Sequence, residues 1–363
     1  MKLRISGRGT VCRGEAGQRA VATFPSVTVL EDGTLLAVYR LGPTKDARTS
    51  VTEIRFSPDR GQTWSAPLQP FPEPFQVVYV TPYDGRLIAT ALRVDWSAHP
   101  GKPLFNEETE GCLPMSVMLA DSDDGGVSWR DWREVPVPDD VGPASLTNPV
   151  LVLGDGSLVV SIETNKHYGD RSPWMQRVVH CVSRDGGHSW QDPVTVCQDP
   201  TGRTFHWDQR AVVLADGRIA AFSWTYDRAH NQYLNIRRHL GAPASAGWIT
   251  DELPFADQPS HPAVLPDGRV VLAWVDRYGS RSIRARAAAA VDGGFGAESE
   301  VVIHQAPAAA KSTVGTGELL VDMSMWSYGL PYAAALPDGT VMVVYYAAGE
   351  PGCMDVRWAR LDW

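Results

Sequence analysis

The stretch Ser183-Arg184-Asp185-Gly186-Gly187-His188-Ser189-Trp190 decides the fold, because its pattern occurs twice more upstream. The other copies are SPDRGQTW at 57–64 and SDDGGVSW at 122–129, so all three read S-x-D-x-G-x-x-W. In such a bend the Ser and Asp side chains accept backbone N–H bonds, Gly adopts a positive φ, and Trp covers the turn. Each copy therefore predicts a hairpin turn locked by its own side chains.

A second repeat consists of an alternating apolar run, an Asp-Gly dipeptide and another apolar run, and this pattern is the strongest short-range signal for a β-hairpin. The glycines of the six dipeptides lie 51 to 71 residues apart, which suits four-stranded units arranged radially. The sequence therefore predicts an all-β fold, a six-bladed β-propeller that forms a single domain over residues 1–363. The dipeptides are Asp32-Gly33, Asp84-Gly85, Asp155-Gly156, Asp216-Gly217, Asp267-Gly268 and Asp338-Gly339.

The two ends of the chain also carry alternating runs, at 2–5 and 354–361. We expect one of them to complete a blade begun at the other end, which would remove the exposed sheet edges. No segment shows a long apolar stripe of period 3.6, so the pattern requires no helix.

The three S-x-D-x-G-x-x-W copies resemble the Asp boxes of sialidases and related β-propellers. This resemblance implies that the copies close the third and fourth strands of the first three blades, on the face away from the active centre. It also implies a carbohydrate-active enzyme, because sialidases are glycoside hydrolases.

The resemblance extends to about half of the sialidase catalytic set. Arg40, with Asp46 a few residues later, is similar to the family's strand-end Arg and loop acid/base Asp, and Asp208 falls at the position of the Glu that assists a nucleophilic Tyr. The position of that Tyr falls on Leu330, close to Tyr328 and Tyr332. Two departures concern the Arg residues that clamp a substrate carboxylate: Thr23 and Trp224 stand where the family has Arg. The loss of a desolvated bidentate contact argues against an ordinary sialidase.

Polar residues at the expected top of the blades complete the candidate site. Alternation along a strand would aim His206, Asp208 and Arg210 to one side, as proton transfer or glycoside hydrolysis would need, although a structural ion pair would give the same pattern. The predicted catalytic residues are Asp46 as proton donor, Asp208 as second carboxylate or its partner, Tyr328 as nucleophile, and His206. The predicted substrate-binding residues are Arg40, Arg210, His261, Glu163, His167 and Trp207.

Each of these residues also has a structural alternative. Asp46, Glu163 and His167 could be solvated loop residues, His261 and Tyr328 could be satisfied structural residues, and Trp207 could be core packing instead of a stacking platform for sugar.

Three functions fit these residues. The first is a sialidase-like exo-glycoside hydrolase with a divergent substrate pocket. The second is a polysaccharide lyase, in which His or Tyr abstracts a proton beside a uronate carboxylate neutralised by Arg. The third is a non-catalytic glycan-binding propeller.

Composition limits the binding partners, the cysteine chemistry and the location that we expect for this protein. A formal charge of −9 argues against a nucleic-acid or anionic-membrane surface. The five cysteines include no C-x-x-C pair, so we expect no disulfide framework, no metal and no cofactor. With no apolar leader and no run of membrane-spanning length, the expected location is the cytoplasm, or outside the cell if a signal peptide has been trimmed. The oligomeric state stays open.

Overall fold

The computed structural model describes residues 2–245, 247–256, 258–277, 279–307 and 326–363. Within these ranges the only helices are two three-residue 3-10 turns, Asp139–Val141 and Ala297–Ser299. The first twelve strands are β1 (Arg4–Cys12), β2 (Val21–Val29), β3 (Leu35–Gly42), β4 (Val51–Ser57), β5 (Val77–Tyr83), β6 (Arg86–Val94), β7 (Met115–Ser122), β8 (Arg130–Glu134), β9 (Leu151–Val152), β10 (Leu158–Glu163), β11 (Arg177–Ser183) and β12 (Val194–Gln198). The other twelve are β13 (Thr204–Val213), β14 (Ile219–Asp227), β15 (Gln232–Gly241), β16 (Ile249–Ala256), β17 (Gln258–Pro259), β18 (Ala263–Val264), β19 (Val270–Asp276), β20 (Ser282–Ala288), β21 (Val301–Gln305), β22 (Tyr328–Ala335), β23 (Val341–Ala348) and β24 (Met354–Asp362).

The chain divides into two compact units, called unit 1 and unit 2 below. The described part of unit 1 comprises residues 2–74, 258–307 and 326–363, and that of unit 2 lies within residues 75–256. Unit 1 contains a seven-stranded sheet in the order β22-β23-β24-β2-β3-β4, with β1 paired to β24, and a five-stranded sheet in the order β17-β19-β20-β21, with β18 beside β19. Unit 2 contains three four-stranded sheets, β5 to β8, β9 to β12 and β13 to β16.

The prediction of six separate blades is wrong, as the sheet topology shows. Across the described ranges, four sheets of four or five strands form separate blades, while the strands of the expected first and last blades share the seven-stranded sheet. The two groups join where β2 lies parallel to β24 at the single pair Val21–Met354. Among the residues that the structure describes, the ladder beyond β4 continues as the bridge between Ile54 and Leu68 and not as a full fourth strand.

The predicted hairpins are confirmed. Each of the six Asp-Gly dipeptides lies between two antiparallel strands, and each of its glycines has a φ between 72° and 87°. The Asp side chain stabilises the turn locally: Asp216 Oδ1, for example, accepts the backbone N–H of Arg218 at 3.0 Å. The expected pairing of the chain ends is also confirmed, because β1 runs antiparallel to β24 from Arg4–Asp362 to Cys12–Val356.

The S-x-D-x-G-x-x-W turns have the predicted internal bonds. Asp185 accepts the N–H of Ser189 at 2.8 Å, and the N–H of Gly187 donates to Ser183 Oγ at 2.8 Å. The other two copies repeat this pair of bonds. Gly187 has a φ of 89°, and a Cβ there would lie 2.8 Å from Leu119 Cδ1. The positive φ therefore favours glycine, and any larger residue would also have to displace the buried Leu119 side chain.

A β-bulge interrupts the first long strand of the hairpin at three places. In β2, β13 and β22 the pairing shifts between Thr23 and Ser26, between Trp207 and Arg210, and between Gly329 and Tyr332. Each bulge contains one non-glycine residue in the left-handed region: Phe24, Asp208 and Leu330 have φ of 51°, 45° and 44°. Such backbone costs about 1–3 kcal/mol per residue and re-aims a side chain out of the strand alternation.

Candidate active site

The bulge in β13 places a carboxylate beside a second, buried carboxyl group in unit 2. Asp208 lies in the bulge, and its side chain is 17% exposed. Glu163 ends β10 and is buried. The backbone N–H of Gln209, the next bulge residue, donates to Glu163 Oε1 at 2.7 Å, and the Thr147 hydroxyl donates to the same oxygen at 2.9 Å. The local backbone of the bulge thus joins the two acidic residues.

The electrostatics of this pair keep one proton bound. Burial raises the pKa of Glu163 to about 8, and the neighbouring Asp208 carboxylate acts in the same direction. The hydrogen bonds from Gln209 and Thr147 and the charge of Arg210 lower that pKa but do not outweigh burial. Glu163 is therefore largely protonated at neutral pH, as a carboxyl group must be if it is to donate a proton.

Arg210 is the cation of this group. Its Nη2 lies 3.6 Å from Asp208 Oδ1, and its Nη1 donates to the Tyr79 hydroxyl at 2.8 Å and to the Thr147 carbonyl. Burial raises the pKa of Tyr79, so the hydroxyl keeps its proton. Tyr79 could not be selected from the sequence, because its run Val77–Val80 is typical of an apolar core strand. We call Tyr79, Glu163, Asp208 and Arg210 the carboxyl cluster.

The structure does not bring His206 to this cluster. The bulge puts Arg210 opposite Phe222 and leaves His206 opposite Thr225, so that strand alternation no longer aligns the two side chains. The His206 ring is buried, and its Nδ1 lies 3.3 Å from Ser223 Oγ. Burial lowers its pKa to about 4, which leaves a neutral imidazole. The expectation that His206, Asp208 and Arg210 point to one side is thus wrong for His206.

A possible metal-ligand set involves the same His206. Ligand atoms of Cys197, His206 and His239 lie within 4.8 Å of one another, all buried. The Ser223 hydroxyl also lies 2.9 Å from His239 Nε2, and His239 Nδ1 lies 2.9 Å from the Thr250 hydroxyl. A structural zinc takes four ligands, and these hydrogen bonds explain the neutral, buried rings without an ion.

Two other predicted substrate-binding residues in unit 2 differ in exposure. The Trp207 ring is 6% exposed and stacks on Tyr226, with centroids 5.6 Å apart and planes at 17°. The ring also contacts Trp224, with centroids 5.3 Å apart. His167 is exposed in the segment after β10, where its backbone pairs with Cys112.

Unit 1 holds the predicted Arg40 and Asp46. Arg40 is 4% exposed on β3, and its guanidinium donates to the carbonyls of Lys45 at 2.5 Å and Ala47 at 2.8 Å. These bonds hold the backbone on both sides of Asp46, whose side chain is exposed. Burial lowers the pKa of Arg40 to about 10, partly offset by the charge of Asp46. Arg40 thus positions the loop that carries Asp46.

A buried lysine beside Asp46 was missed. Lys45 is 7% exposed, and its Nζ donates to the Tyr346 hydroxyl at 2.9 Å. Burial holds the pKa of Lys45 well below its ordinary value, and the charge of Arg277 lowers it further. Lys45 gave no sequence signal in its polar loop. Arg40 was selected because it lies at the end of the strand that follows an Asp-Gly turn. Arg277 meets the same criterion, because it follows β19, the strand after Asp267-Gly268.

Tyr328 and His261 are both engaged in unit 1. The Tyr328 hydroxyl donates to the Asp276 carbonyl at 3.3 Å, and the side chain is buried, so the hydroxyl serves the backbone in this structure. The His261 ring stacks on Tyr332, with centroids 4.5 Å apart and planes at 5°. Tyr328 is in contact with Arg277, which donates to its carbonyl at 2.8 Å.

Comparison with known proteins addresses the fold and the family. The model of the BNR repeat-like domain matches residues 10–248, about two thirds of the chain. The chain belongs to this family. No curated protein sequence matches it significantly.

Three solved structures illustrate the similarity. A protein of unknown function from Dyadobacter fermentans has a TM-score of 0.77 at 19% identity, with 99% of each chain covered. The α-L-arabinanase of Penicillium chrysogenum, solved with arabinobiose, has a TM-score of 0.67 at 16% identity, covering 99% of this chain and 98% of that one. The NanB sialidase of Streptococcus pneumoniae has a TM-score of 0.65 at 12% identity, covering 98% of this chain and 70% of that one. The fold is therefore an all-β, sialidase-like propeller fold.

Two further expectations concern the chain as a whole. All five cysteines lie within the described residues, where they are free and buried. Among the described residues, no helix has the length and apolar character needed to cross a membrane.

Proposed function

We propose that this chain is a sialidase-like exo-glycoside hydrolase with a divergent substrate pocket, and that the carboxyl cluster performs proton transfer. The observation that carries the proposal is the juxtaposition of a buried, protonated Glu163 with an Asp208 carboxylate in a strained bulge. The structural similarity to two glycan-active enzymes supports it at the level of fold.

The chemistry follows from the unequal surroundings of the two acids. A pair that holds one proton offers a donor for the glycosidic oxygen and a negative charge for the cationic transition state. Asp208 is the more exposed member, with Arg210 beside it. We therefore assign the substrate-facing charge to Asp208 and the retained proton to Glu163. Arg210 and Tyr79 position Asp208.

Asp46 keeps its proposed role as a proton donor, which Arg40 would position through the loop carbonyls. Tyr328 keeps its proposed role as nucleophile, although its hydroxyl must first leave the Asp276 carbonyl. Arg40, Arg210, His261, His167 and Trp207 remain proposed substrate-binding residues. Variants separate the two proposed donors: a general acid must carry its proton to act, so the amide variant that removes the alkaline limb of the pH–rate profile, Asp46→Asn or Glu163→Gln, identifies the donor.

The test is turnover of a panel of aryl glycosides, including a sialoside and an α-L-arabinofuranoside, together with uronate polysaccharides. We expect Asp208→Asn and Glu163→Gln to lower kcat/KM for the substrate that is turned over by about 10²–10⁴-fold. Glu134→Gln, an exposed carboxylate in unit 2, is the matched control and should have no effect. Turnover within threefold of wild type in both cluster variants would remove the assignment.

The same panel separates the alternatives. A lyase would release products with a new unsaturated bond that absorbs in the ultraviolet, whereas a hydrolase would not. A binding module would bind a glycan saturably without turnover.

We also propose that residues 1–363 act as one domain. The family match supports this, because residues 10–248 run across the boundary between the two units at residues 74 and 75. A single cooperative unfolding transition with coincident optical probes is the expected result, and two separated transitions would contradict it.

A further inference from the structure

A pocket of about 370 Å³ lies in unit 2, and neither Glu163 nor Asp208 lines it. Its lining comes from three segments, the β6–β7, β10–β11 and β14–β15 connections, each of which follows the second strand of a sheet. The volume is near the lower end of the range for small-molecule sites, about 300–1,000 Å³, and suits a sugar unit. The lining that matters for recognition consists of Thr109, Glu110, Lys166, Arg171 and Arg228.

Hydrogen bonds hold two of these segments together. The Tyr168 carbonyl accepts the Thr109 hydroxyl at 2.7 Å and the Asn106 side-chain amide at 2.9 Å, and the Cys112 N–H donates to the Lys166 carbonyl at 2.9 Å. At Gly111, a Cβ would lie 2.2 Å from the His167 carbonyl oxygen, so only glycine permits this approach. The pocket wall is therefore built before any ligand arrives, which lowers the entropic cost of binding.

The charges of the lining are unequally paired. Arg228 Nη2 lies 2.8 and 2.7 Å from the two carboxylate oxygens of Glu110, and this ion pair is mostly buried. Arg171 lies 3.3 Å from Glu108, and both of these side chains are more than three-quarters exposed. Each glutamate of the lining is thus already in contact with an arginine.

Lys166 is the remaining cation, and it is 7% exposed. Its Nζ donates to the Thr109 carbonyl at 2.6 Å, which uses one of its three N–H donors. The ion pairs within the described residues do not include Lys166, although its charge does act on the nearby Asp170. A buried ammonium group whose hydrogen-bond acceptor is a neutral carbonyl is stabilised more strongly by an added anionic partner than by a neutral one.

We propose that this pocket binds the anionic group, a carboxylate or a sulfate, of an acidic sugar unit in a glycan, with Lys166 as the charged contact and Arg171 at the rim. Lys166 lies three residues after Glu163 on the segment that leaves β10, so the chain connects recognition directly to the carboxyl cluster. The pocket adds a second recognition point to the substrate of the proposed hydrolase and rests on that function.

The experiment is calorimetric titration with three disaccharides of equal size: one with a uronate, one sulfated and one neutral. Wild type is used for any disaccharide that it does not turn over, and Glu163→Gln replaces it as the background for any that it does, so that turnover does not disturb the measurement. We expect Lys166→Met to weaken binding of one or both acidic disaccharides at least tenfold and to leave the neutral one unchanged. Comparison of the uronate and sulfated disaccharides shows whether the pocket binds a carboxylate or a sulfate. Lys102→Met, the same change in the β6–β7 connection outside the pocket lining, should have no effect.

Thermal unfolding checks that Lys166→Met is folded, and Arg171→Met at the exposed rim provides a second variant that should weaken acidic binding less. Equal affinity of wild type and Lys166→Met for the acidic disaccharides, or no preference of wild type for them over the neutral one, would overturn the proposal. Failure of the hydrolase proposal looks different, because acidic binding would then persist without turnover of any glycan.

Discussion

Replacing Glu163 by Gln should change the pH dependence of stability more than stability itself. The folded-state pKa of Glu163 is about 8, against an ordinary value of 4.5. Between these values the unfolded chain has released the proton and the folded chain retains it. The unfolding free energy of wild type therefore falls as pH rises through this window, by at most ~1.4 kcal/mol per pH unit, and levels off above pH 8.

The magnitude follows from the width of the window. From pH 5 to pH 8 we expect wild type to lose about 2–4 kcal/mol through this one group. Gln cannot ionise, but its amide oxygen can still accept the bonds that Glu163 takes from Gln209 and Thr147 at 2.7 and 2.9 Å. Glu163→Gln should therefore match wild type within about 1 kcal/mol at pH 5 and exceed it by about 2 kcal/mol or more at pH 8.

Urea unfolding at half-unit intervals from pH 5 to pH 9 measures this difference. Glu53→Gln is the matched control of opposite sign. Burial alone would raise the pKa of Glu53, but hydrogen bonds from Arg19, Gln69 and Tyr39 outweigh it and hold that pKa below its ordinary value. Glu53→Gln should cost about 3 kcal/mol at neutral pH, and less as acid protonates the wild-type carboxylate. A difference between Glu163→Gln and wild type that stays constant from pH 5 to pH 9 would refute the reasoning.

Three further outcomes are expected. In urea titrations, Gly187→Ala should lower the unfolding free energy by about 2–3 kcal/mol and Gly156→Ala by about 1 kcal/mol. Both glycines have a positive φ, but only Gly187 has a neighbour close to the position of the added Cβ. Equal losses in the two variants would contradict the close contact at Gly187. Arg210→Met should lower thermal stability by an amount equivalent to about 3 kcal/mol, since it removes the buried cation that faces Asp208 and donates to the Tyr79 hydroxyl, and an unchanged Tm would show that the cation is dispensable. Lys45→Met should be more stable than wild type at pH 7, and by a smaller margin at pH 10, because the depressed pKa means that the folded state binds fewer protons than the unfolded state; urea titrations giving the reverse trend would exclude a lysine pKa lowered by burial.

The fold could be predicted because its signals are local. An Asp-Gly turn such as Asp216-Gly217 is specified by the side chain that accepts its N–H bond and by the residue that permits positive φ. The S-x-D-x-G-x-x-W turns are determined in the same way. The merging of the expected first and last blades into one sheet depends on the single contact between Val21 and Met354, which no local pattern specifies.

The site was harder to predict because bulges and burial are tertiary properties. Strand alternation placed His206 with Asp208, but two residues, Asp208 and Gln209, occupy the space of one in the pairing of β13 with β14. Glu163 was selected as a polar residue near the expected top, yet its sequence neighbours could not show that it would be buried and protonated. Lys45 looked like a loop lysine for the same reason.

The pairing of β1 with β24 has a consequence for the order of events during synthesis. The described part of unit 2 is contiguous within residues 75–256, whereas unit 1 needs segments from the start, the middle and the end of the chain. A chain emerging from the ribosome can therefore complete the three sheets of unit 2 while β1 still lacks its partner. β1 lacks this partner until β24 is translated, and during that interval its edge is open to pairing with another nascent chain.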